Sequence, residues 1–101
     1  MPLADEINII RRRWPRFMIM VDDFQVPAAG YYFDRYPSGL ELTLDYLVRE
    51  GVDLASMAVL FPTATSSAET SVRRGTLVLT SPELYEQSLS KERLLFRFAA
   101  A

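Results

Sequence analysis

Residues 76–83 read Thr-Leu-Val-Leu-Thr-Ser-Pro-Glu, and this stretch decides the fold class. Its first five residues are a short apolar run between threonines, which predicts a strand over 76–80. Ser81, Pro82 and Glu83 then predict a helix start, because serine is a good N-cap, proline suits the first helical position and an acid complements the helix dipole there. We expect the helix to continue to about Ser90.

Two more apolar runs predict buried strands. Residues 57–61, Met-Ala-Val-Leu-Phe, form a strand closed by Pro62. Residues 16–21, Arg-Phe-Met-Ile-Met-Val, are apolar at five successive positions and too short for a helix. This pattern predicts a central strand covered on both faces, with an extension as far as Val26.

The middle of the chain allows two interpretations. Pro37, Ser38 and Gly39 predict a turn. Residues 40–47 alternate as in a strand, but the chain also fits a short strand over 40–42 and then a helix capped by Thr43 and running to Glu50. We favour the second interpretation and keep a single strand over 40–47 as the alternative.

The two ends of the chain complete the map. Leu3, Ile7, Ile10 and Trp14 are spaced as one stripe of an amphipathic helix that Pro15 ends. Residues 91–98 fit either a last strand or a continuation of the preceding helix. Residues 63–71 contain six serines and threonines, which predicts a flexible loop, and residues 1–2 and 99–101 are expected to be disordered.

These elements predict one α+β domain over residues 1–101. We expect a small, mainly antiparallel sheet of about four or five strands, with N-terminal, central and C-terminal helices packed on it. The amino terminus has no signal-peptide pattern and no apolar run is long enough to cross a membrane, so we expect a soluble cytoplasmic protein.

The composition argues against most enzyme classes. Among 101 residues, 50% are hydrophobic and 24% are charged, and histidine and cysteine are both absent. Without them the chain lacks thiol nucleophiles, histidine bases and the usual zinc ligands. We therefore expect no catalytic residues, no bound metal and no other cofactor, and we predict no small-molecule ligand.

Arginines cluster where the first helix ends. Residues 11–16 read Arg-Arg-Arg-Trp-Pro-Arg, a pattern that suits contacts with phosphates and with an unstacked base. The alternative is structural, with Trp14 completing the core stripe and the arginines solvating the helix end. Residues 21–70 carry eight acids and two arginines, a balance of −6, which disfavours wrapping a polyanion.

Acidic residues offer a third reading of the chain. Asp22, Asp23 and Asp34 could hold a hard cation such as Mg²⁺ and make the protein a carboxylate-metal enzyme. Neighbouring strand residues point to opposite faces, so Asp22 and Asp23 would share a ligand only at a bulge or turn.

Aromatic residues indicate a binding surface instead. Residues 27–30 are turn-like, and residues 31–36 are aromatic enough for a strand that forms a hairpin with the preceding run. On that strand Phe33 shares a face with Arg35, whereas Tyr32 and Tyr36 lie on the other face with Asp34.

We therefore predict a non-catalytic protein that acts by protein–protein contact, as a regulator, inhibitor, adaptor or assembly subunit, with another protein or with itself as a homodimer. A nucleic-acid-associated protein is the alternative. The predicted contact residues are Tyr32, Tyr36, Arg73 and Arg74, followed by Arg12, Trp14 and Arg16.

Overall fold

The computed structural model describes residues 3–27, 33–62 and 75–98. Its strands are β1 (Met18–Asp22), β2 (Ala58–Pro62), β3 (Thr76–Thr80) and β4 (Leu95–Arg97). Its helices are α1 (Leu3–Arg13), α2 (Leu44–Arg49) and α3 (Pro82–Leu84); α3 continues as a π-helical turn, Tyr85–Leu89, and a 3-10 turn covers Leu54–Ser56. The predicted small α+β fold is confirmed. Of the two predictions for residues 91–98, the last strand is the correct one, since β4 lies there.

The four strands form one open antiparallel sheet in the order β1-β3-β2-β4. β1 is therefore an edge strand, and the prediction that residues 16–21 form a central strand is wrong. Met18 and Met20 are exposed while Val21 is buried, so the run is covered on one face only. β1 also stops short of Val26, because Asp23 adopts a left-handed φ of 58° and turns the chain away.

One face of the sheet carries the main core. Leu79 lies opposite both Ile19 of β1 and Val59 of β2. Together with Phe24 and Phe61, Leu79 packs in the cluster that includes residues of the first two helices. The residues that α1 and α2 bury there are Ala4, Ile7, Tyr46 and Leu47. These two helices therefore cover this face.

The opposite face is covered at the β4 end. Arg97 lies opposite Leu60 on this face, and its guanidinium carbon is 4.7 Å from the ring centroid of Tyr85. The same side chain forms an ion pair of 3.9 Å with Glu86. These contacts place the π-helical turn over this part of the sheet. The π-helical turn is wound more widely than an α-helix, because the Ser90 amide donates to the carbonyl of Tyr85, five residues earlier.

The central helix confirms the helical part of the favoured interpretation of residues 40–50, whereas the predicted short strand over 40–42 is reduced to an isolated β-bridge at Glu41. Thr43 is extended and its hydroxyl accepts from the Tyr46 amide at 3.2 Å, as an N-cap should. At the other end the amides of Gly51 and Val52 donate to the carbonyls of Val48 and Leu47, which is a Schellman ending. Gly51 permits it because its φ is +86°.

The aromatic segment does not form the predicted strand in its described part. Over residues 33–36 only Arg35 makes a β-bridge, to Glu41. The turn at 37–39 is confirmed, with the Gly39 amide donating to the Tyr36 carbonyl. Residues 31–32, the loop 63–71 and the chain ends 1–2 and 99–101 lie outside the described residues.

Candidate functional site

Trp14 lies in the segment that links α1 to β1, and its side chain is exposed to solvent. α1 ends at Arg13, and the Trp14 amide still donates to the Ile10 carbonyl at 3.0 Å. The indole, however, is 51% exposed, and the Arg13 guanidinium carbon lies 5.7 Å from its ring centroid. The core stripe of α1 therefore stops before Trp14, contrary to the structural interpretation of this cluster.

The arginines of the segment divide into two groups. Arg11 turns towards the fold, where it donates to the Ser56 hydroxyl at 3.5 Å, and its Nε is buried without a partner among the described residues. Arg12, Arg13 and Arg16 are exposed. The three exposed guanidinium groups and the indole thus share one stretch of five residues at the surface.

The backbone of β1 is open on its outer side. The Ser81 amide donates to the Phe17 carbonyl at 3.1 Å, so Phe17 directs its carbonyl towards β3. Hydrogen-bonded and non-hydrogen-bonded pairs alternate in an antiparallel ladder, so Ile19 also faces β3, whereas Met18 and Met20 direct their amides and carbonyls away from it. None of these outward groups bonds to another described residue.

The methionine side chains are open as well. Met20, Val78 and Leu60 form one row across the sheet. Val78 and Leu60 are buried, but Met20 is 65% exposed and Met18 beside it is 47% exposed. The cover over this face therefore ends before β1. We call the exposed side chains Trp14, Arg16, Met18, Met20 and Asp22, with the free backbone of β1, the β1 edge.

The hairpin formed by residues 33–42 holds a second exposed group. Arg35 lies 4.5 Å from the Phe33 ring centroid and pairs with Glu41 at 3.2 Å. The Tyr36 hydroxyl donates to Asp34 at 3.4 Å, so the predicted sharing of faces is confirmed for these pairs. Desolvation raises the pKa of Tyr36, and the charge of Asp34 raises it further. Tyr36 is 37% exposed and available for contact.

The structure does not place the first predicted contact set on one surface. Tyr32, Arg73 and Arg74 lie outside the described residues, so their position beside Tyr36 stays a prediction. Arg12, Trp14 and Arg16 are all exposed. Sequence reasoning missed Met18 and Met20, which it assigned to a covered strand. The one signal for them was local, since Pro15, Arg16 and Asp22 bound the apolar run as residues of an edge often do.

Two residues of the predicted cation site, Asp23 and Asp34, are joined by a backbone hydrogen bond. The Asp34 amide donates to the Asp23 carbonyl at 2.8 Å, which brings the hairpin to the end of β1. In residues 3–27, 33–62 and 75–98, however, no group of three or more acidic side chains is arranged to hold a metal ion.

A shallow hollow of about 480 Å³ lies between the hairpin turn and α2. Its walls are Ser38, Gly39, Leu40, Tyr46, Arg49 and Glu50. Arg49 is already paired with Asp45 at 3.3 Å, and Tyr46 is buried in the core. The hollow is open to solvent and its charged wall is exposed, unlike a site that encloses a small ligand.

The β1 edge is the described surface that combines apolar, aromatic and charged groups with free backbone. No helix in the described part of the chain is long and apolar enough to span a membrane. Comparison of the chain with protein-family models, with curated proteins and with solved structures finds no match.

Proposed function

We propose that this protein is a non-catalytic binding domain that acts by protein–protein contact, as a regulator, an inhibitor, an adaptor or a subunit of an assembly. The observation that carries the proposal is the β1 edge, where Met18 and Met20 are exposed and their backbone groups bond to no other described residue. An extended segment of a partner can add to such an edge through main-chain hydrogen bonds.

The side chains of the edge suit the same role. Tryptophan and arginine are enriched among residues that dominate binding energy, and methionine adapts its shape to irregular partners. Trp14 and Arg16 lie in the short segment that leads into the strand, so one stretch of chain supplies both the anchors and the backbone. The absence of histidine and cysteine from the sequence favours binding over catalysis.

The test is capture of partners from the native host with the tagged protein. We expect Met20→Lys to lose the captured protein, because a charge would then stand on the contact face. Val48→Lys is the matched control, since Val48 is an equally exposed apolar residue on α2. Equal capture by wild type and Met20→Lys would contradict a role for the β1 edge.

Tyr36→Ala examines the other predicted surface in the same assay. Tyr36 is exposed, so the variant should fold, and far-ultraviolet circular dichroism verifies this. Loss of capture by Tyr36→Ala with full capture by Met20→Lys would move the contact surface to the hairpin.

A nucleic-acid-associated protein is the second candidate. The exposed indole of Trp14, with Arg12, Arg13 and Arg16 exposed around it, favours this alternative. Trp14 is the single tryptophan, so its fluorescence reports binding of mixed-sequence single and double strands directly. Phosphate contacts would make binding weaken steeply with salt, and the variant Arg12→Ala would reduce that salt dependence. Absence of binding at low salt would dismiss this candidate.

A further inference from the structure

We infer that the outer edge of β1, which pairs with no other strand in the described part of the chain, pairs antiparallel with the same edge of a second copy, with Arg16 of each copy opposite Asp22 of the other. This inference rests on the proposed function and names its partner. The other edge of the sheet is a poorer template, because β4 has only three residues.

The charges at the two ends of β1 select the direction of pairing. Arg16 precedes the strand and Asp22 ends it, both are exposed, and neither forms an ion pair with another described residue. A parallel pair of β1 strands would bring like charges together at both ends. An antiparallel pair brings each arginine to an aspartate, so the edge is complementary to itself.

The backbone limits the register to few choices. Two strands bond only where outward residues of both oppose each other, and Met18, Met20 and Asp22 are the outward residues of β1. Pairing Arg16 with Asp22 sets Met18 opposite Met20 of the second copy, so outward residues meet. The same register sets Ile19 opposite its own copy at the two-fold axis.

The neighbouring register fits the charges less well. With Met20 at the two-fold axis, Asp22 would lie opposite Met18 and Arg16 would have no acid across the ladder. The register centred on Ile19 instead gathers four methionines on the exposed face, between two ion pairs. Both choices form ladder hydrogen bonds, so the charges distinguish them.

The resulting contact is small, and its strength follows from its size. Strand pairing over about seven residues lies at the low end of protein interfaces, so we expect a dissociation constant on the order of micromolar. Sedimentation velocity of the purified protein from about 0.1 µM to about 100 µM brackets this value. We expect a reversible monomer–dimer equilibrium, and a single monomeric species throughout would overturn the inference.

Charge reversal tests the register. Arg16→Asp alone places two carboxylates opposite each other at both ends, and Asp22→Arg alone places two guanidinium groups there. Each variant should weaken self-association at least about tenfold. Lys91→Asp is the control, since it makes the same charge change as Arg16→Asp at another exposed position and should leave the equilibrium unchanged.

Mixing the two variants gives the decisive result. In a mixed dimer every reversed charge meets its opposite, so equal amounts of Arg16→Asp and Asp22→Arg should associate as strongly as wild type. The double variant should also recover self-association. A folding defect cannot produce recovery on mixing, and failure to recover would overturn this register.

The outcomes separate this inference from the proposed function. A purified protein that stays monomeric, while it captures a host protein through Met20, overturns pairing with a second copy and leaves the proposed function standing. If the protein neither self-associates nor captures a host protein, both the inference and the proposed function are contradicted. Salt-sensitive binding of oligonucleotides by a monomer overturns the inference in favour of the nucleic-acid candidate.

Discussion

Phe17 and Ser81 exchange two hydrogen bonds. The Phe17 amide donates to the Ser81 hydroxyl at 3.2 Å, and the Ser81 amide donates to the Phe17 carbonyl at 3.1 Å. Ser81 lies between β3 and α3, so this pair ties the residue before the edge strand β1 to the end of the central strand β3. It also sets which β1 backbone groups face β3 and which face outward.

The first prediction concerns this pair. Ser81 is buried, and Ser81→Ala leaves the Phe17 amide without its acceptor. We expect the free energy of unfolding to fall by about 1–3 kcal/mol in urea denaturation. The control is Ser90→Ala, whose hydroxyl donates to an exposed helix carbonyl and whose loss should cost under about 0.5 kcal/mol. Equal effects of the two variants would contradict the role of Ser81.

Gly75 provides the second prediction. A Cβ there would overlap the Phe24 carbonyl oxygen and stand 2.7 Å from a methyl group of Val26. We expect Gly75→Ala to lower the free energy of unfolding by about 3 kcal/mol, since backbone on one side cannot move away. A Cβ at Gly39 would meet no atom within 4 Å, but the backbone there has a φ of +87°. Gly39→Ala should therefore lower the free energy of unfolding by about 1 kcal/mol through backbone strain alone. The reverse order in thermal or urea unfolding would contradict this packing.

Thr80 provides a prediction of the opposite sign. Its side chain is fully buried, and Oγ1 has no hydrogen-bond partner among the described residues. Thr80→Val keeps the shape and removes the desolvated hydroxyl, so the protein should gain about 1 kcal/mol of stability. Thr76→Val, at a partly exposed position of the same strand, should change stability little. Destabilisation by Thr80→Val would show that the hydroxyl is satisfied.

Tyr46 makes stability depend on alkaline pH. Burial raises the pKa of its hydroxyl above the usual 10.0, and a hydrogen bond with the Ala4 backbone opposes that shift. The folded protein thus holds this proton more tightly than the unfolded chain. Its contribution to stability is complete below about pH 10 and is lost as the pH rises through the raised pKa. Urea unfolding at several alkaline pH values should show a shallower decline for Tyr46→Phe, and equal slopes would refute this.

Local signals in the sequence predicted most elements. Thr43 and Gly51 marked the ends of α2, and the strand over residues 76–80 has the predicted bounds. Each of these depends on a cap, a turn or a short period along the chain. The helix from Pro82 was placed correctly at its start, although the Ser81 hydroxyl accepts from the Phe17 amide and does not cap the helix. Its continuation as a π-helical turn was not predicted, and Tyr85 at the start of that turn contacts Arg97 of β4, a neighbour that no local pattern shows.

The sequence pattern did not show which elements lie next to each other in the folded chain. An apolar run such as residues 16–21 fits a central strand and a strand with one open face equally well, and only the sheet order distinguishes them. The same limit applies to Trp14, whose spacing from Ile10 fits a helical stripe although α1 ends before it. The exposed arginines were predicted, but the strand edge beside them was not.

Amide hydrogen exchange along β1 tests most directly whether its free edge is the interaction surface. In dilute, monomeric protein the amides of Met18 and Met20 should exchange rapidly, while Ile19 and Val21, bonded to β3, exchange slowly. At concentrations where the protein associates, Met18 and Met20 should become protected as well. If the protein associates but both methionine amides still exchange as fast as in the monomer, the edge of β1 is not the interaction surface.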